Sequence, residues 1–375
     1  MHQEQRDRTQ AILRERGLER ALFAHPGNIT WLTGLPAPWR AGADLYAGGP
    51  SLIWYEGGAF TLIAMDREAA AAETFGQQRG CQVVGYQGYS YTEQPAGPDL
   101  LAAALKEVAG GTGNSAIGLE TRHLPLFLVH ALQEAVGSDK PLTPIDGWLD
   151  GPRMLKTAGE IAAMRRNYEL ITVAQNAAKE AVQPGKLELD VWYAIHMALQ
   201  QTAGQTMPLG NDCTVGRRGG GPPHPVEILE TDSFVVDLST ILEGYWSDSC
   251  VTYYATVPSP KQVKMHRTAA EALDLAISLA RPGAVAREID HQVRGFITNA
   301  GFPVYPHHTG HGIGVMGHEA PRIVPHSDEV LQAGMVIMLE PGIYYPGETG
   351  VRLEHAVLVT EDGPEVLSTY DLNTP

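Results

Sequence analysis

Cysteine is scarce: only Cys81, Cys213 and Cys250 occur in 375 residues. The number is odd and no two stand at metal-binding spacing, so neither a disulfide framework nor a thiolate zinc site is expected. They read as free thiols in a reducing compartment. Positive charge is also in short supply, with 27 Lys and Arg against 43 Asp and Glu and a formal net charge of −16. A nucleic-acid or anionic-membrane surface needs clustered cations to replace counterions, and that class of partner is therefore excluded.

Long apolar runs are missing as well. Nowhere do about 18 uncharged apolar residues follow one another, and the polar start MHQEQRDRTQ has no apolar stretch behind it to act as an export signal. A cytoplasmic protein is the expectation. The glycine-rich GHGIG at Gly310 to Gly314 lacks a following Lys-Ser/Thr and opens no dinucleotide-binding helix, which removes it as a phosphate loop.

What is present is a balanced globular composition, 43% hydrophobic and 19% charged, in a chain long enough for two cores. Residues 1–150 alternate helix-like stretches (Thr9 to Arg16, Leu100 to Val108) with short apolar runs at Ala21 to Ala24, Ser51 to Trp54 and Phe60 to Ala64. That alternation predicts a small α/β domain. A turn-rich joint, Pro141 to Pro152, sets the boundary, and residues 151–375 form the second domain.

Thr157 and Glu160 make a capping-box pattern, and Met164, Tyr168, Ile171 and Ala174 follow at helical spacing, so a long helix opens that second domain. Pro184-Gly185 ends it. A weak repeat then appears, Pro184-Gly185 to Ala203-Gly204 echoed by Pro282-Gly283 to Ala300-Gly301, an offset of 98 residues from 184 to 282. Each copy runs on into strand, turn and strand, which predicts two related halves in an α+β domain.

The acids fall symmetrically in those halves. Asp237 and Asp248 are centred on Leu242-Glu243-Gly244, and Glu340 and Glu354 on the turn-forming Pro346-Gly347-Glu348-Thr349-Gly350. Each pair should face across a hairpin, where carboxylates roughly 4.5–5.5 Å apart repel. Four such groups among apolar strands require cations. The segment YPHHTGHGIGVMGHEAP, Tyr305 to Pro321, adds the spaced imidazoles His307, His311 and His318. An oxygen-rich set with one imidazole suits Mn²⁺, Co²⁺, Fe²⁺ or Zn²⁺.

Three segments, VVDLSTILEGYWSDS, HHTGHGIGVMGHEAP and LEPGIYYPGETGVRLEH, resemble the metal-binding motifs of the pita-bread metallopeptidases, the family of prolidase, aminopeptidase P and methionine aminopeptidase. GLERALFAHPGNITWLTG and MLKTAGEIAAMRR resemble the N-terminal domain and linker helix of the prolidase and creatinase branch. The resemblance implies a creatinase/prolidase-type α/β domain followed by a pseudo-twofold pita-bread catalytic domain. It also implies two divalent ions, Mn²⁺ first and Co²⁺ or Zn²⁺ next, held by Asp237, Asp248, His311, Glu340 and Glu354. Asp248 and Glu354 would bridge. By the same resemblance Glu340 handles the proton of the attacking water, His318 stabilises the oxyanion and His224 in GGGPPHP stands near the substrate. Arg352 would hold a ligand carboxylate, and His307 would line the pocket. Three positions depart from the family pattern: Ser239 follows Asp237-Leu238 where glycine is usual, and Cys250 and Val251 replace the threonine and arginine after the bridging Asp.

The implied activity is hydrolysis of the bond before proline, by an Xaa-Pro dipeptidase first, then an aminopeptidase P or an Xaa-Pro carboxypeptidase. A non-catalytic binding module of the same fold is the alternative outside enzymology, and creatinase lacks these ligands. Arg217-Arg218, just before His224 on a glycine-rich loop, offers an arginine fork for a substrate carboxylate or else a solvated loop pair. Peptides containing proline are the expected partners, with homodimer formation implied by the resemblance.

Overall fold

The computed structural model describes residues 2–36, 48–70, 80–88, 92, 96–110, 115–373 and 375. Two compact units divide the chain, Met1–Arg153 and Met154–Pro375.

In the first unit the apolar runs become strands. β1 (Arg20–Phe23), β2 (Leu52–Glu56), β3 (Ala59–Met65), β4 (Gln82–Tyr86), β5 (Ile117–Leu119) and β6 (Leu142–Pro144) form one sheet in the order β4-β3-β2-β1-β5-β6. β1, β2 and β3 pair antiparallel, and β4, β5 and β6 join in parallel. The helices Gly97–Ala109 and Leu126–Val136 lay Leu101, Leu105, Leu128 and Leu132 against Leu22, Leu52, Trp54 and Ile63. β6 lies inside the turn-rich joint and belongs to this sheet, so most of the joint is part of the first unit.

The second unit opens with the helix Ala158–Ala181, capped as its sequence predicts: Thr157 Oγ1 accepts from Glu160 N at 3.3 Å, and Glu160 Oε2 accepts from Thr157 N at 2.8 Å. The helix Glu188–Ala203 and strands β7 (Cys213–Val215), β8 (Ser233–Asp237), β9 (Thr240–Leu242), β10 (Tyr245–Ser247) and β11 (Cys250–Tyr254) complete its first half. The second half repeats the plan. It has helices Pro260–Leu279 and Ala286–Asn299, then β12 (Gly310–Gly312), β13 (Glu319–Ile323), β14 (Val336–Leu339), β15 (Gly342–Tyr345), β16 (Thr349–Arg352), β17 (His355–Thr360) and β18 (Gly363–Val366).

Matching hydrogen bonds establish the repeat at the level of single peptides. Gly185 N donates to Ile228 O and Gly283 N to Leu331 O, at 2.9 and 2.8 Å, while Glu188 N donates to Val226 O and Ala286 N to Glu329 O, at 3.0 and 2.9 Å. The halves correspond with an offset of 98 on the helical side (185 to 283) and 103 on the strand side (228 to 331). The larger offset carries Asp237 onto Glu340. Both halves then interrupt a strand pair at the acids, β8 and β11 pausing before the β9–β10 hairpin as β14 and β17 pause before β15–β16.

Candidate metal centre

The second hairpin has the register its sequence predicts. Gly342 faces Arg352 on one side and Leu339 faces His355 on the other, which sets Glu340 opposite Glu354. The first hairpin differs. Asp237 faces Cys250, and Thr240 faces Ser247, so Asp248 falls opposite Ser239 rather than Asp237. The cause is a two-residue turn at Glu243-Gly244, with φ of 52° and 84°. Two consecutive left-handed residues make the tight turn that suits a twisted hairpin, and its centre lies later than the three-residue centre assumed from sequence. A shift of two keeps both Asp side chains on the same face.

His311 reaches the acids from β12. The strand carries a register shift between His311 and Gly312 on its β13 side, a bulge of the kind that re-aims a side chain. The flanking glycines are required by close approach: a Cβ at Gly310 would lie 2.0 Å from Met338 O, and one at Gly312 2.0 Å from Ala320 O. His311 Nδ1 donates to Gly312 O at 2.9 Å, which leaves Nε2 with its lone pair toward the acids. Nε2 lies 3.8 Å from Asp248 Oδ2 and 3.6 Å from Glu340 Oε1. Asp248, His311 and Glu354 are all buried and offer donor atoms within 4.8 Å of one another.

The electrostatics are those of a site short of positive charge. Burial pushes Asp248 and Glu354 well above the ordinary carboxylate range, and the neighbouring acids add to the rise. Asp237 is raised by burial too, with Arg352 opposing. For Glu340 burial acts upward, but the hydrogen bond from His308 and the electrostatic influence of His308, His311 and His307 prevail and bring it down to about 2. His311, buried and beside His318, is pulled down to about 3, a neutral imidazole. Glu354 Oε2 is buried with no hydrogen-bond partner. Four acids, a neutral imidazole and an orphaned carboxylate oxygen are the donor set that divalent cations fit.

Around this core Arg352 Nη2 donates to Asp237 Oδ2 at 2.7 Å and Asp212 Oδ2 at 2.5 Å. His307 Nε2 meets Tyr344 OH at 2.9 Å, its Nδ1 is 3.8 Å from Glu340 Oε2, and burial lowers it to about 4. His318 is exposed and stacks on His311, ring centroids 4.0 Å apart. His224 is exposed on its loop, where its backbone N–H donates to Glu188 Oε2 at 2.8 Å, and its ring does not join the His308, His311, His318 group.

The arginine fork is corrected. Arg217 pairs with Asp232 and donates to Glu227 O, and Arg218 pairs with the fully buried Glu188 and bonds Thr214. Both guanidinium groups brace the loop on internal carboxylates rather than present a free fork.

Other residues went unread in the sequence. Asn211 Nδ2 bonds Asp237 Oδ1 at 3.0 Å, Ser239 Oγ at 2.7 Å and Asp248 Oδ1 at 3.3 Å, and Ser239 Oγ donates to Asp248 Oδ1 at 2.9 Å. They link Asp237 and Asp248 through neutral polar groups. His308 Nε2 lies 2.6 Å from Glu340 Oε1, and its Nδ1 accepts from Arg322 Nη2 at 3.0 Å. The doubled His307-His308 was a visible signal for the first; nothing local marks Asn211.

Two family descriptions match the chain: Metallopeptidase family M24 over residues 162–361 and Creatinase/Prolidase N-terminal domain over residues 5–155. An Xaa-Pro dipeptidase of Pyrococcus horikoshii is 31% identical over 261 residues, 68% of this chain and 74% of that protein. The crystal structure of the prolidase from Pyrococcus horikoshii OT3 covers 99% of this chain and 100% of its own at TM-score 0.83 and 24% identity. An X-Pro aminopeptidase from Thermotoga maritima MSB8 covers 98% of each chain at TM-score 0.82 and 23% identity. At these identities the structures speak for the fold alone. The M24 match spans more than half of the 375 residues; the chain belongs to metallopeptidase family M24, a peptidase of pita-bread fold that works with divalent metal ions.

Proposed function

We propose that this protein is a dinuclear-metal Xaa-Pro dipeptidase. The observation that carries the reading is the buried convergence of Asp248, His311 and Glu354, with one Glu354 oxygen left unpartnered. Asp237, Asp248, His311, Glu340 and Glu354 are the residues that would hold two ions. Asp248 and Glu354, 3% and 1% exposed against 6% and 7% for Asp237 and Glu340, are the more deeply buried of the four acids. The oxygen-rich set favours Mn²⁺, with Co²⁺ or Zn²⁺ as substitutes. When bound, such a pair polarises a carbonyl and makes water nucleophilic near neutral pH.

The chain's own groups do the rest. Glu340, kept ionised by its imidazole neighbours, takes the proton of the attacking water and delivers it to the leaving nitrogen. His318, at the exposed mouth, donates to the developing oxyanion. Arg352 and Asn211 orient the Asp pair.

Dipeptide selectivity is supported by the name of the 31% identical relative and by Arg322. Its side chain is exposed, touches His308 and meets no carboxylate among the described residues, so the substrate's terminal carboxylate can take it. The test is to incubate Mn²⁺-loaded protein with Ala-Pro, Ala-Pro-Ala and Ala-Ala-Pro and identify products by mass spectrometry. Hydrolysis of Ala-Pro alone is expected. Release of Ala from Ala-Pro-Ala makes it an aminopeptidase P, release of Pro from Ala-Ala-Pro a carboxypeptidase, and no cleavage overturns the reading.

A further inference from the structure

The sequence YPHHTGHG carries two adjacent histidines, and the family resemblance assigns only His307 to the pocket. His308 has the more telling contacts. An arginine guanidinium donates and never accepts, so the 3.0 Å contact from Arg322 Nη2 makes His308 Nδ1 an acceptor. In a neutral ring the proton then sits on Nε2, aimed at Glu340 Oε1 at 2.6 Å. The two contacts together fix one tautomer and one direction of donation, from Arg322 through His308 to Glu340.

The backbone beneath is held firmly enough for such a task. Arg294 Nη2 donates to His307 O at 2.5 Å, Thr309 Oγ1 donates to Asp290 Oδ1 at 2.6 Å, and Thr309 N donates to Ile323 O at 3.0 Å. Glu340 N donates to Thr309 O at 2.9 Å, tying the glutamate to the same loop. These bonds hold the backbone from which the His308 and Glu340 side chains project.

We propose that His308 is a positioning residue for Glu340, with its tautomer set by Arg322, so that the group facing the substrate's carboxylate also governs the orientation of the proton-handling carboxylate. The proposal rests on the reading of Glu340 as that proton handler. It gives one short chain of contacts between recognition of a dipeptide's end and the chemistry at its peptide bond.

Two readouts test it on the full-length protein. In kinetics with Ala-Pro, His308→Ala should lower kcat about 10- to 100-fold, the usual cost of losing a partner that orients an active-site group, with KM changed about 2-fold or less. His308→Gln, whose amide can accept from Arg322 and donate to Glu340 as the imidazole does, should recover most of the loss. Equal loss in the Ala and Gln variants, or kcat unchanged in both, overturns the proposal. Independently of activity, nitrogen NMR of ¹⁵N-histidine-labelled protein loaded with diamagnetic Zn²⁺ should show His308 as the Nε2–H tautomer. Arg322→Ala should disturb that signal. An Nδ1–H tautomer in the wild type, or no change in Arg322→Ala, contradicts it. If no peptide is cleaved by the wild type, the dipeptidase reading fails and the tautomer alone decides this inference.

Discussion

Arg352 Nη2, at the end of β16, donates to Asp237 Oδ2 at the end of β8 across 2.7 Å, joining the two halves of the repeat at the site itself. The same nitrogen reaches Asp212. A buried guanidinium therefore fixes the rotamer of the acid furthest from His311 in the sequence.

Replacing it should loosen that acid. Arg352→Ala is expected to weaken divalent-metal binding about 10- to 100-fold, by analogy with other supports of metal ligands. Arg352→Lys should fall between, since one ammonium nitrogen can still meet both carboxylates but the Nη1 contact to Tyr344 OH is lost. Metal titration followed by calorimetry measures it, and affinities equal to wild type would show that Asp237 needs no such support.

The difference between the two hairpins explains what the sequence could carry. Around Pro346 to Gly350 the chain has a three-residue loop, Gly347 at φ 81° marks its centre, and symmetric counting finds Glu340 opposite Glu354. At Glu243-Gly244 a non-glycine residue takes φ 52°, a choice composition does not announce, and the register moves by two. Helix starts were legible from local chemistry, as at Thr157 and Glu160. Asn211, Asp212 and Arg322 were not, because their meaning comes from partners brought together by the sheets. The choice between a fork and a solvated pair at Arg217 and Arg218 stayed open for the same reason: Asp232 and Glu188, their partners, lie 15 and 30 residues away.

Their pairing with internal carboxylates has a measurable consequence. Arg218→Ala leaves Glu188 buried without its cation, and such a loss costs about 1–3 kcal/mol in stability. KM for Ala-Pro should stay within about 2-fold in Arg217→Ala and Arg218→Ala while thermal stability falls, most for Arg218→Ala. A large rise in KM at unchanged stability would restore the fork.

Metal removal should expose the acids' own repulsion. In the metal-free fold Asp248 and Glu354 keep protons that the unfolded chain releases near its ordinary values of 3.8 and 4.5. Folded values above unfolded ones mean that this contribution is present at low pH and lost as pH rises through the raised values. Bound metal replaces those protons and removes the loss. The gap in Tm between metal-loaded and EDTA-treated protein should thus widen from about pH 5 to pH 8, read by differential scanning calorimetry. A gap that narrows over that range would mean the two acids are ionised without metal.

The most direct test of the central claim is the metal content of protein purified without chelator and equilibrated with Mn²⁺, measured by inductively coupled plasma mass spectrometry. About two ions per chain are expected of a two-metal hydrolytic site, with Glu354→Gln retaining one or none while keeping its fold. A wild type that binds no ion, or a Glu354→Gln variant that still binds two, would contradict it.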